Sequence, residues 1–376
     1  MKKLISIALC AVMLLGVFCA MASCSKESYE IAVVTDVGQI NDKGFNQGTW
    51  EGAEAYAKKN NISVKYYQPA NGSDANDNDR IAAMRQAINN GAKVIVTPGF
   101  LQATALRTVA AEHPEVKFVF VDGWTITDKV DETGKEVGTP FANITAIVYK
   151  EQESGYLAGY AVVKEGYEKL GFTAGGGGTN PACNRFGYGF VQGANAAAAE
   201  LGKTVTIKYS YKFGDNFSAS SELQAQIASW YAAGTEVVFA CGGSMFDSVK
   251  SAAAEYKDRN VKIVGVDTDQ SGESEQVITS AVKELANSVD IVLTQFYGGE
   301  WDSKLAGKTQ NLGAAENATG LPTATWRLTN FTVEQYKEVF EKIKNGVPDA
   351  NTPGNANENG DWLKANLNNV VIDFEK

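Results

Sequence analysis

From residue 30 onward the chain alternates short apolar, β-branched runs with longer stretches whose apolar positions recur every three or four residues. IAVVT (31–35), SVKYYQ (63–68), VIVTPG (94–99) and FVFVDG (118–123) predict strands, because Val, Ile, Phe and Tyr suit a pleated surface and turn residues follow each run. Between them, WEGAEAYAKKN, DRIAAMRQAINNG and ATALRTVAAEHP carry the helical period and stop at Asn, Gly or Pro. Such alternation builds a parallel sheet covered on both faces, since a parallel strand needs a crossover long enough to hold a helix.

The pattern restarts after NITAIVYKEQESGYLAGYAVVKEG. KLGFTAG, TVTIKYS, VVFACG and KIVGVD predict a second set of strands, separated by the helical GFVQGANAAAAELG, SELQAQIASWYAAG and FDSVKSAAAEYK. ELANSVDIVLTQFY is a helix placed to carry the chain back to the first lobe, and VEQYKEVFEKIKNG one that returns it to the second. No Pro/Ser-rich linker intervenes, so several crossing segments form a hinge. The expected class is therefore α/β, with two Rossmann-like lobes whose parallel sheets are joined by a multi-strand hinge. The N-terminal lobe spans 30–145 plus about 285–320, and the C-terminal lobe 146–284 plus about 321–376. Open parallel sheets bind ligands beyond the carboxyl ends of their strands, so the functional site is expected in the cleft between the lobes.

At 376 residues the chain exceeds what one hydrophobic core holds, which agrees with two lobes. Its first residues, MKKLISIALCAVMLLGVFCAMASC, combine two lysines, an apolar run and small residues before a cysteine, the pattern of an export leader. Ser23 and Ala22 precede Cys24, whereas Leu9 and Phe18 precede Cys10 and Cys19, so residues 1–23 read as a signal peptide. An uncleaved membrane anchor is the alternative, but it would need no small residues before a cysteine. The box resembles that of bacterial lipoproteins, which implies acylation of Cys24, a tether over 24–29 and attachment to the outer side of the cell membrane. Removal of the leader takes away Lys2 and Lys3 and leaves 34 − 2 = 32 basic against 44 acidic residues, a net charge of −12. That balance excludes a nucleic-acid partner. Cys183 and Cys241 are the cysteines of the body, and they read equally as one disulfide or as two buried thiols.

Enzyme signatures fail one by one. GKT occurs at 202–204 and 307–309, but a phosphate loop needs a glycine where Ala197 and Asp302 stand. The glycines at 175–178 meet Asn180 where a dinucleotide loop would close on glycine, and they read as a tight turn beside the cleft. CGGSMF places Phe246 where a nucleophile elbow needs its second glycine. His113 is the single histidine and sits at a helix end before Pro114, so histidine-assisted nucleophiles and multi-histidine metal sites are excluded. Asp74, Asn76 and Asn78 have calcium-loop spacing, but Asp79 and Arg85 occupy positions that need Gly and Glu, so a helix cap is expected there instead. No catalysis, metal or cofactor is expected.

Binding features remain. Asp36, Asp122 and Asp267 each follow or end a predicted strand, which brings three carboxylates to the cleft. A carboxylate there accepts hydrogen bonds from a vicinal diol or from ring N–H groups and repels phosphate, which favours a neutral polar ligand such as a nucleoside or a sugar. Phe45, between Gly44 and Asn46, is presented on a loop opened by Gly38 and Gly44, where its ring can stack on a base or on the apolar face of a sugar. Phe246 in the matching loop of the second lobe is the expected second jaw, with Phe213 and Phe217 as competitors.

Together TDVGQINDKGFNQGTWEG, VIVTPGF, FVFVDG, GYLAGY, NRFGYGFVQGA, VVFACGG, GVDTDQ, TSAVK and the closing KNGVPD resemble the basic membrane protein (BMP) or PnrA-like lipoproteins over roughly residues 30–350. These are substrate-binding components of ABC transporters, several of which receive purine nucleosides. The resemblance implies a type I periplasmic binding protein fold, hinge closure, a permease and an ATPase as partners, and a monomer. It also implies that Asp36 and Asp122 contact the purine, that Phe45 stacks on it, and that Asp267 with Lys283 holds ribose hydroxyls. Asn41, Asp42 and Asn46 belong to the same motif. The family's AGGTGxG loop reads ACGGSMFD here, a departure at the loop that carries Phe246.

Overall fold

All four residues of β1 (Ile31–Val34) are buried, as expected of a strand covered on both faces. The computed structural model describes residues 28–36, 39–346, 363 and 367–375; the leader, Cys24 and Gly38 lie outside them. After β1 come α1 (Phe45–Asn60), β2 (Val64–Tyr67), α2 (Asp77–Asn89), β3 (Val94–Pro98), α3 (Ala103–Glu112), β4 (Lys117–Val121) and β5 (Ile144–Tyr149). Next are α4 (Glu151–Glu165), β6 (Lys169–Ala174), α5 (Pro181–Leu201), β7 (Val205–Ser210), α6 (Ser221–Ala232), β8 (Val237–Cys241), α7 (Met245–Glu255), β9 (Lys262–Asp267) and β10 (Val277–Lys283). The chain ends with α8 (Leu285–Tyr297), β11 (Thr309–Leu312), β12 (Thr319–Gly320), α9 (Val333–Ile343) and β13 (Val370–Glu375).

Two sheets result, ordered β11-β5-β4-β3-β1-β2 and β12-β10-β9-β8-β6-β7-β13. β12 runs antiparallel to β10, and every other pairing among the described strands is parallel. The same winding occurs twice, because β1 lies between β2 and β3 as β6 lies between β7 and β8. The strand order therefore reverses beside β1 and β3 in one lobe and beside β6 and β8 in the other, which opens a crevice at each carboxyl edge.

The chain passes between the sheets at Lys150, at Glu284 and over Gly313–Ala318. β5 belongs wholly to the first sheet, so the first passage falls at Lys150 rather than at 145, and β12 joins the second sheet just before 320. Two adjacent side chains at the start of α4 fasten these passages together. The Glu153 carboxylate accepts from Ala314 N at 2.6 Å and from Thr319 Oγ1 at 2.9 Å. Ser154 Oγ donates to Val282 O at 2.6 Å and accepts from Gly320 N at 2.9 Å. Three passages that are distant in sequence thus meet at one hinge.

α4 and α5 pack backbone to backbone. A Cβ at Gly155 or Gly159 would lie 2.1 or 2.0 Å from the carbonyl oxygen of Phe186 or Phe190, and Gly189 and Gly193 are as close to Gln152 and Tyr156. Elsewhere local chemistry behaves as expected. Asn76 and Asp79 form a capping box at the start of α2, which accounts for the acidic run, and His113 is the C-cap of α3.

Candidate functional site

A cavity of about 550 Å³ lies where the carboxyl edges of the two sheets face each other. The first lobe contributes Asp36, Asn41 and Asp42 from the loop after β1, Phe45 and Asn46 from the start of α1, and Gly99, Phe100 and Asp122. The second contributes Asn180, Cys183 and Phe186 from the start of α5, Phe217, the glycine turn after β8, Asp267 and Lys283. All three strand-end aspartates are on its wall, as is Phe45.

Asp122 follows β4 and Asp267 closes the equivalent strand β9, and both have left-handed backbones (φ 58° and 66°), a conformation Asp tolerates better than most residues. Asp36 depends on Gly99, where a Cβ would sit 2.0 Å from Asp36 Oδ2. Asp42 has a different task from its neighbours. Its Oδ1 accepts from Gly44 N and Gln47 N, and its Oδ2 accepts from Asn46 N and Asn46 Nδ2, all within 2.9–3.1 Å, so it caps α1 and fixes Phe45 and Asn46.

Lys283 is the electrostatic centre. Its side chain is 2% exposed, and Nζ lies 2.5 Å from Asp122 Oδ2, 3.1 Å from Glu151 Oε1 and 3.9 Å from Asp267 Oδ1. The rings of Phe45, Tyr149 and Phe186 surround it at 5.2–5.6 Å. Arg185 Nε binds the other oxygen of Glu151 at 2.5 Å. Two cations thus serve three carboxylates, of which Glu151 and Asp267 are buried and Asp122 partly so. Burial would depress the Lys283 ammonium, but Asp122, Glu151 and Asp267 outweigh it and hold the pKa above the usual value. Burial pushes Asp267 up to about 7, with Lys283 opposing and Asp122, Asp42 and Glu151 adding to the rise. Asp122 is raised by burial against the pull of Lys283, whereas at Glu151 Arg185 and Lys283 overcome burial and lower the pKa.

These shifts predict a pH dependence. An aspartate whose folded pKa exceeds its unfolded value holds more protons when folded, so it stabilises below the unfolded pKa and that contribution is lost as pH rises through the folded one. Between pH 5 and 8 the melting temperature of the ligand-free protein should therefore fall, most steeply below about 7 and levelling off above it as Asp267 becomes fully ionised. A ligand hydroxyl that donates to the ionised carboxylate reverses this trend, so the melting shift produced by ligand should grow over the same interval. Parallel thermal melts check both trends.

Phe246 is not on the wall. It is 1% exposed and packs in the second lobe's core with Val249, Ala253 and Met245, because α7 turns its ring inward. Phe217 occupies the second-lobe wall instead, with a left-handed φ of 59° and its ring edge-on to Phe100 at 6.5 Å across the cleft. Its bed is made of glycine: a Cβ at Gly175 or Gly242 would lie 2.2 or 3.0 Å from its Cδ1. Phe213 is 46% exposed and away from the wall. Cys183 and Cys241 are free buried thiols, with Cys183 Sγ donating to Cys241 O at 3.8 Å. Across the cleft, Lys43 O accepts from Gln270 Nε2 at 2.9 Å and from Thr268 Oγ1 at 3.1 Å, while Lys43 Nζ pairs with Glu273 and Asp247. These bonds hold the Phe45 loop of one lobe against the other lobe.

Two similarly wound α/β lobes hinged at three passages around a cleft form an architecture suited to holding a small solute. The sequence pattern of the family described as "ABC transporter substrate-binding protein PnrA-like" matches residues 29–351, and the chain belongs to that family. It is 27% identical to the ABC transporter nucleoside-binding protein BmpA of Lactococcus lactis, over 86% of this chain and 88% of that one. It is 28% identical to basic membrane protein D of Borreliella burgdorferi, over 88% and 92% of the two chains. An uncharacterized lipoprotein of Pyrococcus horikoshii is 26% identical over 86% and 75%. Among solved structures, ABC transporter solute-binding proteins of Aeropyrum pernix and Conexibacter woesei superpose with TM-scores of 0.63 and 0.62 at 20% identity. They cover 84% and 85% of this chain, and 86% and 97% of their own. The fold is thus that of type I periplasmic binding proteins, and the family is one of substrate binding in ABC transport, which couples such a protein to a permease and an ATPase.

Proposed function

We propose that the cleft captures an unphosphorylated purine nucleoside and that the lobes close over it before delivery to the permease. One observation carries this reading: Lys283 Nζ and Asp267 Oδ1 face each other at 3.9 Å between the aromatic rings of the two lobes. That gap is too long for a direct hydrogen bond, and a ligand hydroxyl can bridge it by accepting from the ammonium and donating to the carboxylate. Asp267 and Lys283 are assigned the ribose hydroxyls, Asp36 and Asp122 the base N–H groups, and Phe45 and Phe217 the base faces. Asn41 and Asn46 complete the wall, and Asp42 orders their loop. The excess of carboxylates disfavours a 5′-phosphate. Acylation at Cys24, attachment to the outer face of the membrane and a monomeric state complete the proposal, in keeping with the lipoprotein relative.

A thermal-shift panel of nucleosides, free bases, sugars and nucleotides tests the assignment. Guanosine or inosine should raise the melting temperature, and ribose and GMP should not. A shift with ribose alone would establish a sugar-binding protein instead, and release of free base from inosine would establish an enzyme. Phe45→Ala and Phe217→Ala should each cost about 1–3 kcal/mol of guanosine affinity, the worth of one base–aromatic stack. Phe246→Ala should lower the melting temperature with guanosine affinity retained, which separates a core ring from a wall ring.

A further inference from the structure

The Lys283 ammonium has three N–H donors, and its surroundings use them unequally. Asp122 Oδ2 accepts one of them at 2.5 Å, Glu151 Oε1 lies 3.1 Å away as an ion-pair partner without an aligned hydrogen bond, and Asp267 Oδ1 stands off at 3.9 Å on the cavity wall. The two close partners differ in origin. Asp122 follows β4 of the first lobe, whereas Glu151 opens α4 and sits in the second lobe with Lys283, Arg185 and Asp267. Parting the lobes takes Asp122 away and leaves Glu151 in place. Glu151 is 0% exposed and absent from the cavity wall, so any effect it has on a ligand passes through Lys283. Arg185, on α5, grips its second oxygen at 2.5 Å and fixes the carboxylate's orientation.

We infer that Glu151, oriented by Arg185, is a positioning residue that keeps Lys283 aimed at the ligand's hydroxyls in both the open and the closed protein. It acts by preorganisation. The ammonium is already held when a ligand enters, so its ordering is not charged against binding. Without Glu151 the open cleft would leave Lys283 free to swing toward Asp267 and neutralise the acceptor that the ligand needs. The inference rests on the nucleoside reading above, and its test separates the two.

Guanosine and 2′,3′-dideoxyguanosine, which differ only in the ribose hydroxyls, are titrated calorimetrically into the wild-type protein and Glu151→Gln. The wild type should bind guanosine the more tightly. Glu151→Gln should weaken guanosine by about 10- to 150-fold, the worth of one hydrogen bond to a charged group, and change the dideoxy compound by less than about twofold. Equal losses for both ligands would reduce Glu151 to a structural role, and unchanged guanosine affinity would remove it altogether; either result overturns the inference. Should Glu151→Gln fail to fold, Arg185→Gln supplies the same comparison, with a selective but smaller loss expected and an equal loss decisive against it. A wild type that binds neither ligand defeats the nucleoside reading itself, and one that binds both equally leaves that reading standing while defeating the role of Lys283 and Glu151.

Discussion

Lys283→Met should abolish measurable nucleoside binding and lower folding stability by about 3–5 kcal/mol, the range for removing one partner of a buried ion pair. Methionine keeps most of the aliphatic length and the packing against Phe45, Tyr149 and Phe186, so the loss reports the charge rather than a hole. Three carboxylates, on Asp122, Glu151 and Asp267, would then share Arg185 alone. Because the penalty comes from ionised carboxylates, it should shrink as pH falls and they take up protons. Urea unfolding of the variant and the wild type at pH 5 and pH 8 measures this directly. A difference between the two proteins that does not change with pH would show that Lys283 acts through packing.

Gly159→Ala should destabilise by about 3 kcal/mol or more, the upper end for overpacking, because its new methyl carbon would start 2.0 Å from Phe190 O and 2.8 Å from Phe190 C. The obstruction is backbone, which cannot rotate away as a side chain does. α4 and α5 would have to separate along their whole contact, and Glu151 and Arg185, one on each helix, would separate with them. Nucleoside affinity should therefore fall together with stability. Gly272→Ala is the control: nothing lies within 4 Å of its added Cβ, and the change should stay within about 0.5 kcal/mol, the usual size for an unencumbered surface site. Comparable unfolding midpoints for the two variants would refute the close-packing account.

The two windings, the cleft and three of its carboxylates are legible in the sequence because each depends on local pattern. A buried parallel strand needs a continuous apolar run, and a residue at its carboxyl end has one place to go. Phe246 against Phe217 was harder, since both stand near glycines. One local signal existed: Phe246, Val249 and Ala253 repeat at three and four residues, which puts the ring on the buried face of α7. Phe217 gave no such signal. Its place depends on a left-handed backbone and on Gly175 and Gly242, which come from two separate loops.

KEQESGYLAGY shows the same limit from another side. Read locally, it is a charged helix start followed by small residues. In the fold Glu151 holds Lys283, Glu153 and Ser154 fasten the hinge, and Gly155 and Gly159 admit α5. The partners lie at Lys283, Ala314, Thr319 and Gly320, more than a hundred residues away, beyond any periodicity. Asp42 shows the limit in the opposite sense, for it lies on the cavity wall while its carboxylate accepts from the first backbone N–H groups of α1.

The most direct test is calorimetric titration of the purified protein with guanosine and, separately, with ribose at several temperatures. The account predicts one site per chain for guanosine, a negative heat-capacity change from burying the base between Phe45 and Phe217, and no heat of binding for ribose. Saturable binding of ribose with none of guanosine would contradict it.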